Sequence, residues 1–274
     1  MLASVMLAAA LATPAPTPTG SPSPQRLLGL IRLQFRSHRP PPPFVTYTFI
    51  RKQNATNGYP DPTGSYTRHL WVRNSDRAAL SRLVFRDEAE GPLEFDRPAF
   101  NEARDPGPPT ADVFEPAPAR PHPVSEVPTP EPNFSAPPII GGVRTLVELD
   151  YHVDAVTTEG NELHLHISPT RDAERNRLRE IWVDKKTLEL HKLVATDKLF
   201  VPGDKTYGTT FTITMGQVEG TPVVTHIDAI VGDGYSGDGQ RIIGDFKDIA
   251  FPKTLPDWYF NARTYAAHGN DAPV

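Results

Sequence analysis

The chain has 274 residues, 38% of them hydrophobic, 31 prolines and a net charge of −5 of mixed sign. That length holds one large all-β domain or two small ones. The absence of cysteine excludes disulfides, thiolate metal sites, a cysteine nucleophile and an acylated N-terminal cysteine, and the charge balance excludes the basic face of a nucleic-acid binder. Met1 to Ala12, M-L-A-S-V-M-L-A-A-A-L-A, reads as the apolar region of a secretory signal without a positive leader, closing on Ala10-Leu11-Ala12. Thr13 to Pro24 is a Pro/Ser/Thr spacer of the kind that follows such signals. Residues 1–24 are therefore expected to direct export, to a periplasmic or otherwise extracytoplasmic place. No stretch reaches the ~20 apolar residues of a membrane span.

Gln25 to Arg36 is predicted to be an amphipathic helix. Leu27, Leu30, Ile31 and Phe35 form one apolar stripe, with Arg26, Arg32 and Arg36 around it. Pro24 suits the first turn, and Pro40 to Pro43 end any continuation. The stripe is expected to pack across a sheet; the alternative is a membrane surface. Strands are predicted at Phe44–Lys52, Ser65–Asn74 and Arg82–Arg86, with Asn57-Gly58 marking a turn. In the first, Val45, Tyr47 and Phe49 share a face; Trp71 is a heavy residue of the second. Arg104 to Pro138 carries twelve prolines and no apolar period, so it is expected to be an unpacked insertion, dispensable for folding.

After Gly141-Gly142, strands recur every 10–15 residues or so, the all-β signature. They are predicted at Val143–Val156, Glu162–Ile167, Leu178–Asp184, Leu188–Ala195, Gly208–Met215, Pro222–Val231 and Arg241–Ala250. Short turns between them give an antiparallel meander. The organising stretch is the hairpin Leu178–Val201. Asp184 opens its polar turn by bonding its own backbone. With Asp184 paired near Thr187, Val183 faces Leu188 and Ile181 faces Leu190, and Trp182 turns to the opposite face. Residues 25–260 are taken as one β-rich domain containing the 104–138 insertion, and 261–274 as a C-terminal tail.

The export signal, the early amphipathic helix, the long meander and the hairpin I-W-V-D-x-x-T-L-x-L at Ile181 to Leu190 resemble the LolA-like periplasmic lipoprotein carriers. The resemblance covers about Gln25 to Phe251 without the insertion. It implies a mainly β fold: an antiparallel meander forming an incomplete (half) barrel, covered by the N-terminal helix. Its apolar concave face would hold acyl chains. The residues expected to line that face are Tyr47, Phe49, Trp71, Trp182, Phe211 and Ile213, with Leu27 and Ile31 as cover from the helix.

One polar constellation competes. Asp150, His152 and Asp154 alternate with Leu149, Tyr151 and Val153, and Glu162, His164 and His166 alternate with Leu163, Leu165 and Ile167. Matching apolar to apolar across the hairpin places three carboxylates and three imidazoles on one face, a donor set that suits a first-row divalent metal. The same alternation is what a solvated sheet face requires, and the face is expected to point outward and hold no metal. Gly232 to Gly239 lacks the ligand spacing of a calcium loop. Phe251 to Phe260 is a lid candidate or a segment packed on core. No nucleophile-elbow, zinc-protease or phosphate-loop motif is present.

The leading expectation is thus an exported, non-enzymatic carrier or binding protein for acyl chains or lipoproteins, with no cofactor. An envelope interaction or sensor module without lipid is the alternative, and a metal-dependent hydrolase the second one. A cavity of several hundred Å³ separates the first from the second.

Overall fold

The computed structural model describes residues 22–55, 65–86, 99–100, 107–117, 150–201, 205–232 and 239–271. The signal-like segment up to residue 21, the Asn57-Gly58 turn, residues 143–149 and most of the Gly232–Gly239 loop lie outside these.

The fold is one open antiparallel sheet with a helix across its apolar face. The strands are β1 (Phe44–Ala55), β2 (Tyr66–Arg73), β3 (Ala78–Arg86), β4 (Ala99–Phe100), β5 (Tyr151–Glu159), β6 (Glu162–Pro169), β7 (Leu178–Asp184), β8 (Leu190–Val201), β9 (Lys205–Val218), β10 (Thr221–Gly232) and β11 (Gln240–Ala250). Their order in the sheet is β4-β3-β2-β1-β11-β10-β9-β8-β7-β6-β5. Two meanders, β1–β4 and β5–β11, are joined by the antiparallel pairing of β1 with β11, in which Phe49 lies opposite Phe246. β4 and β5 each have one neighbour, so the sheet is not closed. One face carries the core: Val45, Tyr47 and Phe49 from β1, Leu165 and Ile167 from β6, Ile181 and Val183 from β7, Leu193 from β8 and Phe246 from β11 belong to one buried cluster. This is called the inner face below.

The helix α1 (Pro24–Arg36) begins at Ser23, whose hydroxyl accepts from the Arg26 amide at 3.3 Å, with Pro24 in the first turn where no amide is needed. The stripe it buries differs from expectation in one residue. Leu27, Leu28, Ile31 and Phe35 are buried, whereas Leu30 is 37% exposed and Leu33 54%. At about 100° per residue Leu28, Ile31 and Phe35 fall within one ~100° sector starting at Leu27, and Leu30 lies outside it. The helix also seals an edge of the sheet. The Gln25 side-chain amide donates to the Tyr151 carbonyl at 2.7 Å and accepts from the Val153 amide at 3.2 Å. Those are ladder groups of β5 that would otherwise offer a template for another strand.

The β7–β8 hairpin forms with the expected turn chemistry but another register. The Asp184 carboxylate accepts from the amides of Lys186 and Thr187, each at 2.8 Å. Leu188, however, sits in the left-handed region at φ 59°. The turn therefore runs longer: Val183 faces Leu190 and Ile181 faces Leu193, with irregular pairing between Trp182 and Val183. The partner of Val183 is slipped by two residues and keeps its side, whereas that of Ile181 is slipped by three, the irregularity adding the residue that keeps Leu193 on the inner face as well.

The stretch expected to be an unpacked insertion is not unpacked throughout. Residues 107–117 form a strap across the helix. Phe114 is 5% exposed and meets Phe35 edge to face at 5.4 Å between ring centres. Asp112 pairs with Arg36 at 2.9 Å, Thr110 donates to the Asn74 side chain, and the Val224 amide donates to the Pro109 carbonyl. Proline removes amide donors and favours extended backbone, but it does not prevent one aromatic and a few carbonyls from docking. The remainder of 104–138 lies outside the described residues.

The segment after β11 is also packed. Residues 257–260 form a 3-10 turn, Ala262–Tyr265 a one-turn helix α2, and 266–271 a further 3-10 turn. They sit on the outer face over β2 and β3: Tyr259 meets Trp71 edge-on at 6.2 Å, Phe260 stacks on Phe44 at 6.1 Å, and Tyr265 is buried. Folded structure thus continues past residue 260, where the sequence suggests a tail begins.

Candidate functional site

The helix does not cover the whole inner face. Beyond it lies an apolar cleft of about 210 Å³ over β1, β9, β10 and β11. Register assembles it. On β10, Ile227, Ala229 and Val231 stand opposite Ile213, Phe211 and Thr209 of β9. Across the other ladder Ile227 faces Gly244 and Ala229 faces Ile242 of β11. Arg51 of β1 faces Gly244, and Phe49 precedes it on the same face. Phe49, Phe211, Ile227, Ala229, Val231 and Ile242 give the cleft its apolar wall, with Arg51 and Thr209 as its polar members. The Arg51 guanidinium lies 5.7 Å from the Tyr66 ring centre.

The floor beside the cleft is aromatic. Phe246 packs against Phe49 at 5.0 Å and Tyr47 at 5.5 Å. Burial pushes the Tyr47 phenol well above its ordinary pKa, and among the described residues its hydroxyl has no hydrogen-bond partner. An unpartnered buried hydroxyl costs about 1–3 kcal/mol, so this is a strained point of the inner face.

Other hollows are chemically unlike this one. The hollow of about 430 Å³ under the strap is lined by charged groups, among them Arg39, Arg77, Asp112 and Arg175. A third, of about 190 Å³, lies where the helix C-terminus meets the β7–β8 and β9–β10 turns, with Gln34, His38, Glu189 and His191 on its wall. Both mix these groups with apolar side chains, among them Phe35, Leu190 and Met215 in the smaller one, and neither has a continuous hydrocarbon wall like that of the cleft.

The expected lining residues divide accordingly. Phe49 and Phe211 are in the cleft. Ile213 and Tyr47 lie on the same inner face beside it, packed on or within the core cluster. Leu27 and Ile31 are buried in that cluster, as cover from the helix. Trp71 and Trp182 are not in the lining. Trp71 pairs with Thr46 and Leu80, and Trp182 with His164 and Lys192, which places both on the outer face. The alternation of each strand decides this, since the neighbours Leu70, Val72, Ile181 and Val183 occupy the inner face. From the sequence Ile227, Ala229 and Val231 share a face of their strand but are not expected in the lining, nor is Ile242 of β11. Their signal was the odd-numbered alternation of β10; what hid the cleft was the pairing of β11 with β1.

No family model matches the chain, and no curated protein matches it. Among solved structures the chain is similar to a DUF1329 family protein from Desulfovibrio piger. That likeness has a TM-score of 0.45 at 11% identity, over 88% of this chain and 98% of the other. It is also similar to MucB, solved in complex with MucA(peri), with a TM-score of 0.20 at 10% identity over 85% and 100%. Among the described residues no helix is long and apolar enough to cross a membrane.

The outer face of β5–β7 holds a second cluster, and it departs from the solvated face expected. His152 and Asp154 are exposed, but His164 is only 8% exposed. An irregularity between Val153 and Ala155 advances β5 by one residue, so that Thr157 faces His164 and Glu159 faces Glu162. Thr157 and Glu159 thereby turn to the outer face, and Glu159 reaches the His164 imidazole. His164 Nδ1 lies 3.0 Å from Glu159 Oε1, and Nε2 lies 2.9 Å from Glu180 Oε2. The ring stacks on Trp182 at 3.9 Å and 15°, with the Lys192 ammonium 3.6 Å from the same indole. The hydrogen bond to His164 holds the Glu159 carboxyl below its usual value. Asp150, expected on this face, is instead buried and paired with Arg171.

Proposed function

We propose that this chain is an exported, non-enzymatic binding protein or carrier for an acyl chain, borne by a lipid or a lipoprotein of the cell envelope. The observation that carries the reading is the cleft on the inner face. Its wall is hydrocarbon and aromatic, and it has two polar members, Arg51 level with Gly244 and Ile227, and Thr209 opposite Val231. Burying apolar surface there stabilises a bound chain by roughly 25 cal/mol per Å² before ordering costs. A guanidinium nearby offers a charge-assisted bond to a carboxylate or phosphate head. At about 210 Å³ the cleft falls short of the several hundred Å³ that would mark a carrier enclosing its ligand, so in this reading it takes only the end of one chain.

The test is displacement of a fluorescent apolar probe by palmitate, in the wild type and in Ala229→Phe. Ala229 is buried in the wall, and a phenyl group there fills the hollow. Saturable one-to-one displacement in the wild type, lost in the variant at unchanged fold, supports the reading. Equal behaviour of the two proteins contradicts it. The modest volume favours one further reading, an interaction module in which the cleft receives an apolar side chain of a partner protein. Palmitate does not compete with such a partner's probe-free binding unless both use the same wall.

A further inference from the structure

We propose that His164, His166 and Glu180, on the outer face of β6 and β7, bind a first-row divalent metal ion, with Glu159 holding His164 in the ligating tautomer. His164 and His166 are two apart on one strand and so share a side, and Glu180 stands opposite His166 across the ladder. One donor atom from each of the three lies within 4.8 Å of the others. The two imidazole rings are 4.2 Å apart.

The hydrogen-bond geometry gives the reason for an ion. A neutral imidazole carries one N–H. If His164 donates from Nδ1 to Glu159, its Nε2 lone pair confronts a Glu180 carboxylate oxygen at 2.9 Å. Two electron-rich atoms at that distance require a positive charge between or upon them. The candidates are a further proton, on His164 or on the carboxyl that faces it, or a metal. Three features favour the metal. His166 supplies a third donor at the same point, which a proton does not need. A carboxylate behind the far nitrogen of a ligating imidazole is the usual outer-shell arrangement of metal sites. Trp182 fixes the His164 ring by stacking, so this ligand is oriented before any ion arrives. Two imidazoles, one carboxylate and an open fourth position suit zinc above all, and cobalt, nickel or copper by the same chemistry. Tetrahedral bonds of ~2.0–2.2 Å hold donors roughly 3.3–3.6 Å apart, so the Glu180 oxygen has to draw back from its 2.9 Å contact with His164 Nε2, within reach of a rotation of the half-buried His166 and Glu180 side chains. The expectation from sequence that this face holds no metal assumed free solvation; the displaced register of β5 and the cover of Trp182 remove that premise.

The test uses the full chain, freed of metal with chelator and titrated calorimetrically with zinc alone, then with cobalt alone for its visible absorption. His166→Ala and Glu180→Gln are the ligand variants, because neither side chain lies under Trp182. One zinc per chain in the wild type, lost in both variants with unchanged circular dichroism, is the expected result. Glu159→Gln is expected to weaken binding by 10–100-fold, while Glu162→Gln, which removes the partner of His191, leaves it alone. Zinc binding that survives both ligand variants marks an adventitious surface site and overturns the proposal. So does absence of stoichiometric zinc together with protons on both His164 nitrogens by nuclear magnetic resonance, which assigns the charge to an imidazolium.

Discussion

The ring of Phe49 occupies the space above Gly244. A Cβ built on Gly244 would stand 2.8 Å from Phe49 Cε2 and 2.9 Å from Cζ. The glycine is therefore what lets an aromatic ring of β1 lie flat against β11 at the wall of the cleft. Gly244→Ala is expected to cost about 1–3 kcal/mol by overpacking and to push the ring toward the hollow. Phe49→Ala alone leaves a void and is expected to cost about 3–5 kcal/mol. Because the two residues touch, the double variant is expected to cost less than the sum of the singles, by about 0.5–3 kcal/mol. Urea denaturation of the four proteins measures that coupling. Simple additivity would mean that the ring does not rest on the glycine.

The helix is expected to hold the sheet through Ile31 and not through Leu30. Ile31 is fully buried and Leu30 is 37% exposed. Ile31→Ala is expected to lower stability by about 2–5 kcal/mol, and Leu30→Ala to change it by about 0.5 kcal/mol or less. Comparable losses from both would restore the stripe read from the sequence and rotate the helix.

The strap should behave as part of the core. Phe114→Ala is expected to cost about 3–5 kcal/mol, because it empties the space against Phe35 and the helix. Replacing 107–117 by a Gly/Ser linker is expected to lower the thermal midpoint for the same reason. A midpoint unmoved by either change would return this stretch to the status of a dispensable insertion.

The β7–β8 turn should loosen in acid. Backbone N–H groups, first that of Thr187 and then that of Lys186, hold the Asp184 carboxyl below its ordinary pKa. A depressed folded value means the carboxylate's contribution is fully present above the unfolded pKa, about 3.9, and is lost as pH falls through the lower folded value. The amide resonances of Lys186 and Thr187 are expected to titrate together in that window. In Asp184→Ala they should not titrate, and Asp184→Ala should be less stable than the wild type at neutral pH and no less stable at the acid end.

Much of the architecture was legible because alternation is a strong local signal. Tyr47, Phe49, Leu165, Ile181 and Val183 all face inward as their parity requires. The Asp184 turn was legible from its own chemistry. What escaped were features with no local signature. A single extra residue between Val153 and Ala155 turns Thr157 and Glu159 to the face of His164, and nothing in V-D-A-V announces it. The left-handed Leu188 shifts the partner of Val183 by two residues, although leucine rarely adopts that conformation, and an irregularity further along shifts that of Ile181 by three. The union of β1 with β11 spans most of the chain, and it alone brings Phe49 to Ile242 and Gly244. The cleft was thus half legible: its aromatic members stood out by size, and its aliphatic members only by a pairing that sequence does not display. Trp71 and Trp182 drew attention by size too, and the pleat sends both outward.

The central claim is that the uncovered part of the inner face receives an acyl chain. The most direct measurement is methyl resonance mapping of isotopically labelled protein during titration with palmitate. The account expects saturable shifts at Ile227, Ala229, Val231 and Ile242, with Leu28 and Ile31 beneath the helix unmoved. Saturable shifts centred instead on the strap or on the outer face near Ile230, or no shifts at a palmitate excess that keeps the fatty acid monomeric, would contradict it.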